Sequence, residues 1–219
     1  GTRAALRLLP AGPPPQEDDL DTARQALELA AAQARRAADV LARLRRLVER
    51  PSAEAILQPV HLEATAAALL SLLAPELRRR GVHAQLSGQA PAAWADPVAL
   101  EQIVLNLLTN ALQALEAAPP AVPARIELQV QADAAAARAR LVVRDNGPGI
   151  AAQALPRLFE PFFTTRQDGL GLGLPLCESL AQAMGGSLAA RNAAPQGAEF
   201  VLDLPLAPAS RTASPPSPP

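Results

Sequence analysis

The strongest constraint on the fold of this 219-residue chain is the stretch from Asp145 to Leu174, in which DNGPGI, LFEPFFTT and DGLGLGL follow one another. Asp145 closes the apolar run Leu141-Val142-Val143, so it is expected at the end of a buried strand. There a carboxylate can accept a hydrogen bond from an exocyclic amine such as that of adenine. Gly147 and Gly149 flank Pro148, which stiffens the turn, while the glycines let a flat ring approach the main chain. The second run, Gly169, Gly171 and Gly173 alternating with leucines, leads into a helical pattern through Glu178 and Leu180. Bare N–H groups at a helix start favour phosphate oxygens, and Pro175 is tolerated in a first helical turn. Together these features describe a nucleotide-holding surface without a P-loop, and ATP is the ligand that fits.

Taken alone, a glycine-leucine alternation also suits a turn packed tightly on a neighbour. A third element upstream strengthens the nucleotide reading. Leu100, Ile103, Val104, Leu107, Leu108, Ala111 and Leu115 form an apolar helical stripe. Asn106, Asn110 and Gln113 recur at i, i+4 and i+7, so they share another face of the same helix. Two asparagines lower the propensity of an otherwise strong helix, which argues against a bland surface role. An asparagine carbonyl oxygen is a suitable ligand for Mg²⁺, a hard cation that combines few protein ligands with phosphates and water.

The set NLLTNA, DNGPGI, LFEPFFTT and GLGLGL resembles the N box, first glycine box, F box and second glycine box of two-component sensor histidine kinases. Their ATP-binding domain belongs to a wider superfamily shared with DNA gyrase, MutL and the heat-shock chaperones. The resemblance covers residues 59–206 and looks most like the nitrogen-regulation and dicarboxylate-sensor branch. It implies an α/β (α+β) fold, a two-layer sandwich of the Bergerat or GHKL type, with ATP and Mg²⁺ as cofactors. By that resemblance Asp145 is the adenine anchor, Asn110 the metal ligand, and Asn106 a catalytic-site neighbour of the phosphates. Gly147, Gly149 and Ile150 shape the adenine side. Thr164, Thr165 and Arg166 belong to a lid over the triphosphate, and Gly169, Gly171, Leu172 and Gly173 form the phosphate side. Many relatives carry Lys where Arg166 stands; arginine keeps the charge but offers a planar fork.

Composition narrows the alternatives. The chain contains no lysine, so neither a Walker A lysine nor a protein-kinase strand lysine is possible. A net charge of -1 argues against a nucleic-acid footprint. No uninterrupted apolar run reaches the length of a membrane span, and no signal peptide is visible. The single cysteine, Cys177, excludes an internal disulfide and suits a reducing cytosol; its helical position makes it a packing residue.

Ahead of the nucleotide domain, Leu20, Leu27, Ala34, Leu41 and Val48 repeat every seven residues, with Ala23, Ala30, Ala37 and Leu44 three later. This heptad seam, widened by Val40, Leu47, Ala31 and Ala38, predicts a long helix of a four-helix bundle. One long helix and a stub cannot close such a bundle, so a homodimer is expected. The domain reading is thus 1–50 a partial dimerisation hairpin, 51–58 a linker, 59–206 the ATP-binding domain and 207–219 a disordered tail rich in Pro, Ser, Ala and Thr. Strands are expected at Val60–Leu62 and across Val82–Leu86, Ile126–Val130 and Ala198–Leu204, with Asp96-Pro97 opening the asparagine helix.

A histidine kinase needs an acceptor imidazole on the first bundle helix, and only His61 and His83 are present. His61 falls in the first strand and His83 points outward with Gln85, so both read as solvated or structural. The expectation is a chain that binds Mg-ATP without phosphorylating itself, its acceptor helix lying upstream of Gly1. In the complete protein the resemblance implies transfer of the γ-phosphoryl group to a histidine and then to an aspartate in the receiver domain of a response regulator. It implies the cytoplasmic portion of a sensor, with the membrane reached only through other parts. Three further readings stay open. A hydrolytic ATPase of the same superfamily would want a glutamate where Asn106 stands, because an amide cannot take a proton from water. A non-catalytic ATP-binding dimerisation module is the second, and a structural coiled-coil protein whose glycine runs are merely turns, which leaves the shared asparagine face without purpose, is the third.

Overall fold

The computed structural model describes residues 56–166 and 169–208. The heptad segment, the dimer it implies and residues 209–219 lie outside the described residues. In chain order the elements are β1 (Gln58–Val60), α1 (Leu62–Arg79), β2 (His83–Gly88), β3 (Ala93–Ala95), α2 (Pro97–Ala117), β4 (Arg125–Asp133) and β5 (Arg138–Asp145). A 3-10 turn (Leu155–Arg157), α3 (Gly173–Ala183), β6 (Ser187–Asn192) and β7 (Ala198–Pro205) follow.

Helix α2 is the centre of the domain. Asp96 caps it by accepting the Ala99 N–H at 3.0 Å, and Pro97 occupies the first turn, where its missing N–H costs nothing. The other Asp96 oxygen accepts the Ile56 N–H at 3.1 Å, and the Asp96 N–H points at Met184 Sδ, 3.3 Å away at the end of α3. One residue therefore fastens the entering chain and the start of α2 with its carboxylate, and the end of α3 with its backbone N–H. Every residue of the expected stripe is buried, and Leu112 joins it. Each buried leucine contributes roughly 1.5–3 kcal/mol. At 21 residues, with a mean hydropathy of 1.3 over its most apolar window, α2 has the length and composition of a membrane span. Polar residues punctuate the helix, so it contains no uninterrupted apolar run of that length, and its apolar stripe is core.

The layer opposite is a five-stranded sheet in the order β2-β4-β5-β7-β6, antiparallel except for the parallel pair β2 and β4. Strict alternation explains its two faces. Ile126, Leu128 and Val130 of β4, Ala139, Leu141 and Val143 of β5, and Ala198, Phe200, Leu202 and Leu204 of β7 are all buried. Helix α1 packs on β2 and β4, α2 on β5, and α3 on β6 and β7. The opposite face carries charge: Arg138 and Arg140 both pair with Asp203, the latter at 2.7 Å directly across the ladder. The expected two-layer α/β sandwich is present.

Three local expectations need correction. The first strand is Gln58–Val60, paired with β3, rather than Val60–Leu62. His61 is the N-cap of α1, and Leu62 opens that helix fully buried, because with Ala66 and Leu69 it continues a helical spacing into the core. Gln58 thus belongs to a strand and not to a linker. At the other end the Ala207 N–H donates to the Ala92 carbonyl at 2.7 Å, so the ordered backbone runs past residue 206.

Candidate functional site

Asp145 stands at the last position of β5, as expected from the run before it, and is the single buried charged residue among the described residues, 4% exposed. The N–H groups of Gly147 and Ala198 donate to its Oδ1 at 2.9 and 3.3 Å. Oδ2 takes part in neither bond. Burial raises the carboxyl pKa above its ordinary value, and the two N–H donors oppose that shift without cancelling it. A half-satisfied, desolvated carboxylate is well suited to accept one more hydrogen bond from an amine.

Three parts of the site lie along α2. A Cβ on Gly147 would sit 2.9 Å from Asp145 Oδ1 and within 4 Å of Leu115 and Ala114, so the Asp145 turn packs on the end of that helix. About one turn earlier, Arg166 donates to the Asn110 carbonyl oxygen at 3.0 Å and to Asn110 Oδ1 at 3.4 Å, and also bonds Gln113 Oε1. One turn earlier again, Asn106 lies against Gly173, where a Cβ would be 2.8 Å from the amide nitrogen; any larger residue at the start of α3 would displace it. From Ala114 to Asn106 the helix rises roughly 12 Å. The polar face expected at 106, 110 and 113 is therefore a rail with the acid at one end and the α3 start at the other.

The rail is divided in its partners. Asn106 Nδ2 donates to Cys177 Sγ at 3.0 Å. Burial pushes the Cys177 thiol up to about 11, and the Asn106 bond only partly offsets this, so the sulfur is an inert packing group. Asn110 instead faces Arg166, whose guanidinium end is tucked against α2 although the residue as a whole is exposed; that burial lowers its pKa. The guanidinium remains charged. A cation thus already stands beside Asn110 Oδ1, the oxygen singled out for a metal. Among the described residues no cluster of His, Cys, Asp and Glu side chains forms a metal site, so an amide oxygen is the donor the rail offers.

Thr164 Oγ1 accepts the Arg166 N–H at 3.1 Å, and Thr165 is exposed beside it. The preceding segment is anchored by Arg157, whose guanidinium carbon lies 4.3 Å from the Phe163 ring centroid. Phe162, 67% exposed, adopts a positive φ of 67° and donates its N–H to the Gly171 carbonyl at 3.0 Å. A Cβ on Gly169 would meet Thr164 Oγ1 at 2.3 Å and one on Gly171 the Phe162 backbone at 2.5 Å, so both glycines are packed under this segment. Leu172 is buried and caps α3 without any side-chain hydrogen bond, so it offers the site only its backbone. The first N–H groups of α3 have no side-chain cap.

Two residues of the site were not anticipated. Asn146 accepts the Arg125 N–H at 2.7 Å and donates to the Pro123 carbonyl at 2.9 Å, stapling the entry to β4 beside Asp145. Asn192 contacts both the N–H and the carbonyl of Ile150, at 2.6 and 2.8 Å. Asn146 lies within DNGPGI, but its part in stapling β4 shows only in the tertiary pairing; Asn192, ending a strand, carries no distinctive local pattern.

Residues 95–208 match the family described as histidine kinase-, DNA gyrase B- and HSP90-like ATPase. Among curated relatives, the C4-dicarboxylate transport sensor protein DctS of Rhodobacter capsulatus is 33% identical over 87% of this chain and 28% of its own length. The sensor protein FixL of Bradyrhizobium diazoefficiens is 32% identical over 94% of this chain and 39% of its own. The chain therefore spans well under half of these relatives. Among solved structures, full-length ShkA in complex with AMPPNP aligns with a TM-score of 0.73 and 28% identity, covering 90% of this chain and 41% of that one. A dicarboxylate sensor among the relatives agrees with the branch expected from the motifs.

Proposed function

The chain belongs to the histidine kinase-, DNA gyrase B- and HSP90-like ATPase family, and we propose that it is the ATP-binding catalytic part of a sensor histidine kinase, acting in the cytoplasm. The observation that carries this reading is the buried Asp145 carboxylate, with Oδ1 held by two backbone donors at one end of the α2 rail and uncapped α3 at the other. The relative solved with AMPPNP supports an adenine nucleotide as the ligand.

In this reading Asp145 accepts the adenine amine and the Gly147–Ile150 turn covers the ring. The uncapped α3 N-terminus offers N–H groups to phosphate oxygens, while Gly169, Gly171 and Gly173 let the lid segment and Asn106 pack closely beside it. Asn110 Oδ1 is the protein ligand for Mg²⁺, which when bound neutralises phosphate charge; the fit rests on its hard amide oxygen and on the guanidinium standing beside it. Arg166, with Thr164 and Thr165, then turns to the terminal phosphate and stabilises charge developing there. Catalysis in this chain is positioning and charge neutralisation, since no side chain on the rail is a base. Hydrolysis is disfavoured because position 106 carries an amide donating to a thiol, not a carboxylate.

The phosphoryl acceptor is neither histidine of this sequence. His83 is exposed on β2 and His61 lies 3.3 Å from Glu63 at the start of α1. In this reading the acceptor belongs to a bundle helix of a fuller protein, the protein acts as a homodimer, and a receiver-domain aspartate takes the phosphoryl group onward. Incubation of the chain with γ-labelled ATP and a separate histidine-bearing helical hairpin from a relative tests this. Acid-labile, alkali-stable label is expected on the hairpin and none on the chain. Steady phosphate release with no label transferred would favour the ATPase instead.

A further inference from the structure

Asn192, the last residue of β6, lies outside every motif of the site, yet both ends of its amide engage one residue of the adenine-side turn. Its Oδ1 accepts the Ile150 N–H at 2.6 Å and its Nδ2 donates to the Ile150 carbonyl at 2.8 Å, across 42 positions of sequence. The pair of bonds reproduces with a side chain what a hydrogen-bonded antiparallel residue pair does with backbone. The approach requires a glycine next door: Gly149 has φ of +79°, and a Cβ there would lie 2.9 Å from Asn192 Oδ1.

The hairpin that begins at Asn192 returns to the other end of the same turn. The Ala193 N–H donates to the Gly197 carbonyl at 2.9 Å, and the Arg144 guanidinium bonds the Ala194 carbonyl. A Cβ on Gly197 would fall 1.8 Å from the Asp145 carbonyl oxygen, so no other residue type permits this contact. Next along, the Ala198 N–H reaches Asp145 Oδ1. The β6–β7 hairpin therefore grips the turn at Asp145 and again at Ile150, and sets the distance between them.

We propose that Asn192 is a positioning residue for adenine recognition: by clamping Ile150 it holds the 145–150 turn open, so that Asp145 Oδ2 faces a purine amine. The inference rests on the nucleotide-site reading above. An asparagine that merely ended a strand would stabilise the hairpin without affecting which base is preferred.

The test uses the full chain and calorimetric titration with two probes, ADP and the diphosphate of purine riboside, which lacks the exocyclic amine. Wild type is expected to prefer ADP. Asn192→Ala should lose about tenfold in ADP affinity, the scale of one charge-assisted hydrogen bond, with less than about a threefold change for the amine-free nucleotide. Asn192→Asp, nearly isosteric, turns an oxygen toward the Ile150 carbonyl and should lose at least as much ADP affinity. Melting temperatures measured in parallel identify any variant that is simply unfolded. Variants that stay folded and keep the wild-type preference for the amine, whether or not both affinities fall together, overturn the proposal while leaving the nucleotide site standing. A wild-type chain that binds neither probe overturns the nucleotide-site reading itself.

Discussion

The two sides of the site are built differently. On the adenine side the contacts run through backbone and short amides: Asp145 is held by two N–H groups, Ile150 by Asn192, and Asn146 by the chain before β4. All of these bonds tie to strands of the central sheet. On the lid side Thr164, Thr165 and Arg166 are exposed, and the bonds reaching α2 come from one long side chain. In the proposed reading, the contrast separates recognition from turnover. A preorganised half loses little entropy when it selects its base, while a half secured by a single guanidinium can exchange protein oxygens for phosphate oxygens.

Removing the acid should break the first side most severely. Asp145→Asn puts an amide donor opposite the adenine amine and is expected to lower nucleotide affinity by about 100-fold or more, read by titration calorimetry. Stability should respond in the opposite sense. Because burial raises the folded pKa of Asp145, its stabilising contribution is present below the unfolded pKa and is lost as pH rises through the folded one. At neutral pH the buried carboxylate costs stability, so Asp145→Asn should melt no lower than wild type. Wild-type nucleotide affinity should fall as pH drops through that same raised pKa, since the ionised carboxylate is the stronger acceptor for the amine and the protonated form can present an O–H donor to it instead.

A core variant sharpens the comparison by damaging both sides equally. Leu107→Ala, a fully buried residue of α2, should cost about 2–5 kcal/mol of folding stability in chemical denaturation, without altering base preference among molecules still folded. On the lid side, Asn110→Ala should lose about tenfold in affinity for Mg-ATP and little for metal-free nucleotide, abolishing the metal dependence of the titration. Arg166→Ala should be milder for ADP than for ATP, by severalfold, because the proposed role of the guanidinium is at the terminal phosphate. If Arg166→Ala weakened ADP as strongly as Asp145→Asn does, the division between the two sides would fail.

What could be read from local pattern was the part whose chemistry is local. The Asp96-Pro97 cap, the α2 stripe, the alternation in β4 and β7, and Asp145 at a strand end each need only neighbouring residues. Misreadings arose where tertiary pairing outweighs a short pattern. Val60 to Leu62 looks like a strand until Leu62 is needed in the core from α1. The strands β3 and β6 are short and were not anticipated, and the parallel pairing of β2 with β4 through α2 leaves no trace in either strand. Asn192 and the Arg166–Asn110 contact join residues 42 and 56 positions apart, and periodicity carries nothing about such distances.

Residue-resolved amide hydrogen exchange, with and without Mg-ATP, tests the central contrast most directly. The amides of Gly147, Ile150 and Ala198 should be protected in the nucleotide-free chain and change little on binding, whereas those of Thr164 to Arg166 should exchange fast at first and slow markedly with nucleotide. Unprotected Gly147, Ile150 and Ala198 in the free chain, or a lid indifferent to nucleotide, would contradict it.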